Sequence, residues 1–176
     1  MSATVLIAPG ASGTVEGMRR YANALQKRGI PAVPVALPRS TAERAVTAYA
    51  AAVADAGKGP LVIGGHSFGG RVASLLAADP PTGFQPSGLL LLSYPLHRPG
   101  HPEHWETRTD HWPRISCPVL LLSGESDPFA RIALLHEAVA RLPRAELHTY
   151  PGVRHGVGPV FADAIERISA WVTGLA

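Results

Sequence analysis

Three residues of this chain have the types and the order that acyl-transfer chemistry requires. Ser67 stands in the middle of Gly65-His66-Ser67-Phe68-Gly69, directly after an apolar run and directly before a stretch with helical spacing. A serine hydroxyl is a poor nucleophile at neutral pH. It needs a base within hydrogen-bond reach and a third group to hold that base. "LLLSGESDPFA" places Asp127 at the start of a loop, where Pro128 keeps it out of helical geometry. "HTYPGVRHGVGPV" places His155 in a glycine-rich loop before the last helical segment. The order is therefore Ser67, Asp127, His155. Glu125 is a second candidate acid, but it lies in the strand end. His148 falls inside a strand and His136 inside a helix, while His66 is expected to be a packed, hydrogen-bonded residue under the nucleophile. The bland alternative for Ser67 is a helix cap.

Composition narrows the partners. The chain has 176 residues, 46% hydrophobic and 16% charged, with 16 basic against 13 acidic residues and a formal net charge of +3. Lys27 and Lys58 are its lysines, and the arginines are scattered without a basic run or interleaved aromatics, so no nucleic-acid surface is expected. The lone cysteine, Cys117, excludes an internal disulfide and reads as a buried thiol. The first residues lack a basic leader pattern, and no apolar stretch approaches the roughly 20 residues of a membrane span. The expected location is the cytoplasm, away from membranes.

The elements that must position the three residues can be read from periodicity. Short β-branched or leucine-rich runs occur at 4–10, 31–37, 60–65, 88–95, 118–124 and 146–152, separated by segments in which apolar residues return every three or four positions. Nearly continuous apolar runs suit strands covered on both faces, hence a parallel sheet with helical crossovers. The expected fold class is α/β: one domain over residues 1–176, a three-layer α/β/α sandwich of about six mainly parallel strands without a cap. Reactive groups in such sheets gather at the carboxyl ends of the strands, where Ser67 and Asp127 fall. Residues 96–116 break the rhythm. This segment carries His97, His101, His104 and His111 with Glu103, Glu106 and Asp110. Without a helical i, i+4 register its histidines are not expected to converge on a metal. The expectation is a solvated, irregular rim pinned by Trp105 and Trp112.

The chain order nucleophile, acid, histidine is that of the α/β-hydrolases. On "GGHSFGGR", "LLLSYPLHRPG" and "LSGESDPF" the sequence resembles small, lidless members: the dienelactone-hydrolase-like branch and, more closely, the KANL/Tex-type hydrolase-like domains. Dienelactone hydrolases proper use a cysteine where this chain has Ser67. The superfamily's first loop usually begins His-Gly, whereas here it reads Pro9-Gly10-Ala11-Ser12-Gly13. The resemblance implies an oxyanion site made by the backbone N–H groups of Phe68 and Ala11. It implies a serine hydrolase of small acyl esters or thioesters that uses no cofactor and no metal. Gly10, Met18, Tyr94, Phe129 and Val157 are the candidate pocket residues, with Pro95 beside them. An acyltransferase, and a binding domain with an idle triad, share the same motifs. The exposed edges of a shortened sheet leave room for a homodimer.

Overall fold

The structure, a computed structural model, describes residues 3–175. Its centre is one sheet of six strands: β1 (Thr4–Ala8), β2 (Ala32–Pro34), β3 (Leu61–His66), β4 (Gly88–Leu92), β5 (Val119–Gly124) and β6 (Ala145–Tyr150). The order is β2-β1-β3-β4-β5-β6 and every pairing is parallel. Six helices complete it: α1 (Val15–Gln26), α2 (Ala42–Asp55), α3 (Phe68–Ala78), α4 (Trp105–Thr109), α5 (Ile132–Val139) and α6 (Phe161–Gly174).

The strands' side chains alternate between two cores, which is why the architecture has three layers. Leu6, Ile63, Leu89, Leu91, Val119 and Leu121 face one way, into a cluster with α2, α3 and α5. Ile7, Val62, Leu90, Leu92, Leu120 and Leu122 face the other, against α1 and α6. Because both faces are covered, β1, β3, β4 and β5 can be apolar at nearly every position. Tyr49 of α2 ties its helix to the sheet: its hydroxyl accepts the Gly64 N–H at 2.8 Å and lies 2.8 Å from Leu6 O and 2.7 Å from Gly64 O.

Two expectations change. The run at 146–152 is not buried on both faces: β6 is an edge strand, exposed or half-exposed until Tyr150. His148 there bonds Glu146 and Arg167, and such charges discourage pairing with another sheet. Residues 96–116 are not irregular either. They form a 3₁₀ turn (Pro102–His104), α4 and a second 3₁₀ turn (Trp112–Arg114). Alternating prolines and aromatics hide the helical period, and the buried rings of Trp105 and Trp112 fold the segment onto the main core. Among the described residues no helix is long and apolar enough to cross a membrane.

Candidate active site

β3 delivers the chain to Ser67 at the carboxyl edge of the sheet, and α3 begins one residue later. The reversal is sharp enough to force Ser67 to φ 49°, ψ −116°, a conformation that costs free energy for any residue with a Cβ. The turn closes only because its neighbours are glycines. A Cβ on Gly65 would stand 2.5 Å from Ala8 O, and one on Gly69 2.5 Å from Ala8 O and 2.6 Å from Pro9 O. The Ser67 N–H donates to Leu92 O of the next strand at 2.8 Å. The Ser67 side chain does not cap α3, so the helix-cap alternative fails. No hydrogen bond joins it to His155 in this structure; such bonds commonly tighten only when substrate closes the site.

Asp127 follows β5 in a turn whose N–H donates to Gly124 O at 3.3 Å. Its carboxylate is fully buried and doubly engaged. Oδ1 accepts the Phe129 N–H at 2.8 Å, and Oδ2 lies 2.8 Å from His155 Nδ1. An ionised carboxylate can only accept, so Nδ1 carries the proton and Nε2 presents its lone pair. His155 is 22% exposed, enough to meet a substrate at the surface. The Phe129 ring packs 4.5 Å from its imidazole. Gly124 lets the histidine loop cross so closely: a Cβ there would sit 2.1 Å from Val153 O and 2.4 Å from Arg154 O.

The competing residues are placed elsewhere. Glu125 accepts the Thr149 hydroxyl at 2.8 Å, His148 is occupied at the sheet edge, and His136 lies on α5. His66 is indeed packed beside Ser67, its ring 5.1 Å from that of His155. Contrary to expectation its ring makes no hydrogen bond among the described residues, and its Nε2 is buried without a partner. Burial first, and then the neighbouring His155, pulls its pKa down to about 4.

A groove of about 250 Å³ opens between the Pro9–Gly13 loop and residues 37–40, with Phe68 in its wall. Gly10 O accepts the Gly13 N–H at 3.0 Å, closing a turn with Ala11 at its tip. The Phe68 N–H belongs to the first helical residue, so α3 offers it no partner. Of the candidate pocket residues, Gly10 lines the groove and Phe129 faces His155. Met18 and Val157 are instead core residues under α1 and α6, and Tyr94 is core on the other face, its hydroxyl donating to Arg108 O at 2.6 Å. Pro95 is buried too. Leu37, Pro38, Arg39 and Ser40, which sequence reading did not single out, form the groove's other wall. A short loop without periodicity gave no signal for them.

The sequence pattern of the alpha/beta hydrolase domain matches residues 2–165. The chain belongs to that family. Solved structures show the same fold in this α/β-hydrolase. Est1E from Butyrivibrio proteoclasticus with bound ferulic acid superposes with a TM-score of 0.83 at 17% identity, covering 98% of this chain and 89% of that one. A metagenome-derived lipolytic enzyme gives 0.81 at 17% identity, over 99% and 95% of the two chains. The monoacylglycerol lipase of Paleococcus ferrophilus gives 0.80 at 14% identity, over 98% and 95%. Among curated proteins no sequence matches the chain significantly.

The histidine-rich segment of this α/β-hydrolase is partly structural, not a solvated rim. His97 is buried and binds both ways: its Nδ1 lies 2.8 Å from Arg98 O, and its Nε2 accepts the Arg131 N–H at 3.0 Å. With the His97 N–H donating to Phe129 O, it braces the loop that carries Asp127. His111 sits 2.8 Å from the Ser74 hydroxyl and 3.5 Å from Asp110. That trio imitates a triad but is wired differently. Ser74 gives its own proton to Arg71 O, so the hydroxyl accepts from His111 and is no nucleophile. His101, Glu103 and His104 come together on the surface within 4.8 Å of one another. Each is more than half exposed, and among the described residues no side chain of the three has a hydrogen-bond or ion-pair partner outside the trio. The second shell that normally orients metal ligands is missing.

Proposed function

We propose that this α/β-hydrolase is a serine esterase that cleaves small acyl esters or thioesters through an acyl-enzyme. The single observation that carries the reading is the Asp127–His155 bond at the edge of the sheet where Ser67 is held in its turn. In the forward step His155 Nε2 takes the Ser67 proton while Oγ attacks the substrate carbonyl. Asp127 keeps the proton on Nδ1 and stabilises the imidazolium that forms. The Phe68 and Ala11 N–H groups receive the oxyanion. Each donor of this kind is typically worth about 3 kcal/mol of barrier. His155 then protonates the leaving group and, in the second half, activates water against the acyl-serine. No cofactor takes part, and we place the reaction in the cytoplasm.

We assign the acyl chain to the groove beside Phe68, which borders the Ser67 turn although neither Ser67 nor His155 lines it, and its size limits the substrate. About 250 Å³ is smaller than the cavities that usually enclose a drug-sized ligand, and no cap covers it. Added methylenes beyond a short chain stay in water and contribute little binding. Turnover of p-nitrophenyl esters should therefore peak between acetate and butyrate and fall by octanoate, with Ser67→Ala removing it. A peak at octanoate or beyond would contradict the pocket assignment. Transfer of the acyl group to added alcohol or amine, in preference to water, would make the protein an acyltransferase instead.

A further inference from the structure

Among the described residues two that are not glycine have positive φ, Ser67 at 49° and Ser93 at 50°. They stand on neighbouring strands and are built alike. Ser67 leaves β3 and donates its N–H to Leu92 O at 2.8 Å; Ser93 leaves β4 and donates its N–H to Leu122 O at 2.8 Å. The chain therefore makes a second strained turn, one strand over from the first. Glycine would adopt that backbone without strain, so the serine must contribute something glycine lacks. Ser93 is completely buried and lines no part of the groove. What it has is a hydroxyl, and that oxygen accepts the N–H of Gly156 at 2.9 Å.

We infer that Ser93 is a positioning residue for His155, anchoring the histidine loop to the strand end that also holds the nucleophile turn. This rests on the reading of Ser67, Asp127 and His155 as a triad. Asp127 fixes one ring nitrogen of His155, but a ring bonded at one atom still swings if its backbone moves. The backbone is held on the N-terminal side by Val153 O, which accepts the Ser126 N–H at 3.0 Å. On the C-terminal side the hold is Gly156 N–H to Ser93. Gly156 itself has φ 104°, which a residue with a Cβ rarely adopts. Two consecutive residues of one strand end thus grip both halves of the site: Leu92 O takes the Ser67 N–H, and Ser93 Oγ takes the N–H next to His155. Their spacing is set by one peptide unit and not by the flexible loops.

Ser93→Gly separates this role from a merely structural one, because it relieves the strain at φ 50° while removing only the acceptor. The variant should stay folded, with kcat on p-nitrophenyl acetate down by about 10- to 100-fold, the order expected for a catalytic group displaced by a fraction of an ångström. KM should change less than twofold, and fluorophosphonate labelling of Ser67 should slow in proportion to kcat. Ser93→Ala should lose as much activity and melt lower. Wild-type kcat in folded Ser93→Gly would overturn the assignment. If the wild-type protein neither turns over esters nor takes the label, the triad reading itself fails. The role of Ser93 is then decided by amide hydrogen exchange at Gly156. Exchange at least tenfold faster in Ser93→Gly than in wild type supports the anchor, and equal exchange overturns it.

Discussion

Asp127 is asked to do two things with one carboxylate, and each oxygen has its own partner. Oδ1 accepts the Phe129 N–H and so fixes the loop that carries Asp127; Oδ2 accepts a hydrogen bond from His155 Nδ1–H and so orients the imidazole. Asp127→Asn keeps the shape but presents an amide, which can turn its NH₂ toward Nδ1 and force the wrong tautomer on His155. The expected loss in kcat is about 10⁴-fold with the fold intact; a loss below tenfold by steady-state assay would show that the carboxylate's charge is not used. The three residues of the proposed triad could be picked out in the sequence, because side-chain type and chain order are sequence properties; that Asp127 and His155 meet within a hydrogen bond is what the structure adds. Ser93 could not be picked out that way. Its role depends on a backbone angle and on a loop 63 residues away, and nothing around it but the apolar run before it marked a strand end.

At the scale of the elements, the site depends on how closely loops can cross strand ends. Gly124→Ala would drive a methyl into the carbonyls of Val153 and Arg154, pushing the histidine loop off Asp127. We expect activity to fall by about 10²-fold, and crystallography or exchange should show residues 153–156 displaced; unchanged activity would mean that the loop tolerates the shift. The strands themselves were plain in the sequence because four of the six are buried on both faces and nearly uninterrupted in apolar residues. The edge strand β6 and the short helices of 96–116 were misjudged for one shared reason. Their form is set by tertiary packing, not by a local repeat. Trp112 is wholly buried and meets the Tyr94 ring edge-on at 4.9 Å. Trp112→Ala should cost about 3–5 kcal/mol of stability in denaturant titration. A cost under 1 kcal/mol would show that the segment is not part of the core.

The whole molecule folds with two histidines that stay neutral in acid. Burial lowers both His66 and His111 from the ordinary 6.5 to about 4. Between those values the unfolded chain binds protons that the folded chain does not. The stability these two rings contribute by staying neutral is therefore fully present above pH 6.5 and is lost as pH falls toward 4. The melting temperature should drop on the order of 5–10 °C from pH 7 to pH 4.5, and His111→Gln should make that slope shallower. A melting temperature that holds or rises over this interval would show that neither ring is buried uncharged.

Whether Ser67 is a nucleophile activated by His155 is decided by intact mass after treatment with a fluorophosphonate probe, which reacts readily with an activated serine and not with an idle one. One adduct on the wild-type protein, absent from both Ser67→Ala and His155→Ala, is the predicted result. A folded wild-type protein that takes no label, or a label that persists in Ser67→Ala, would contradict it.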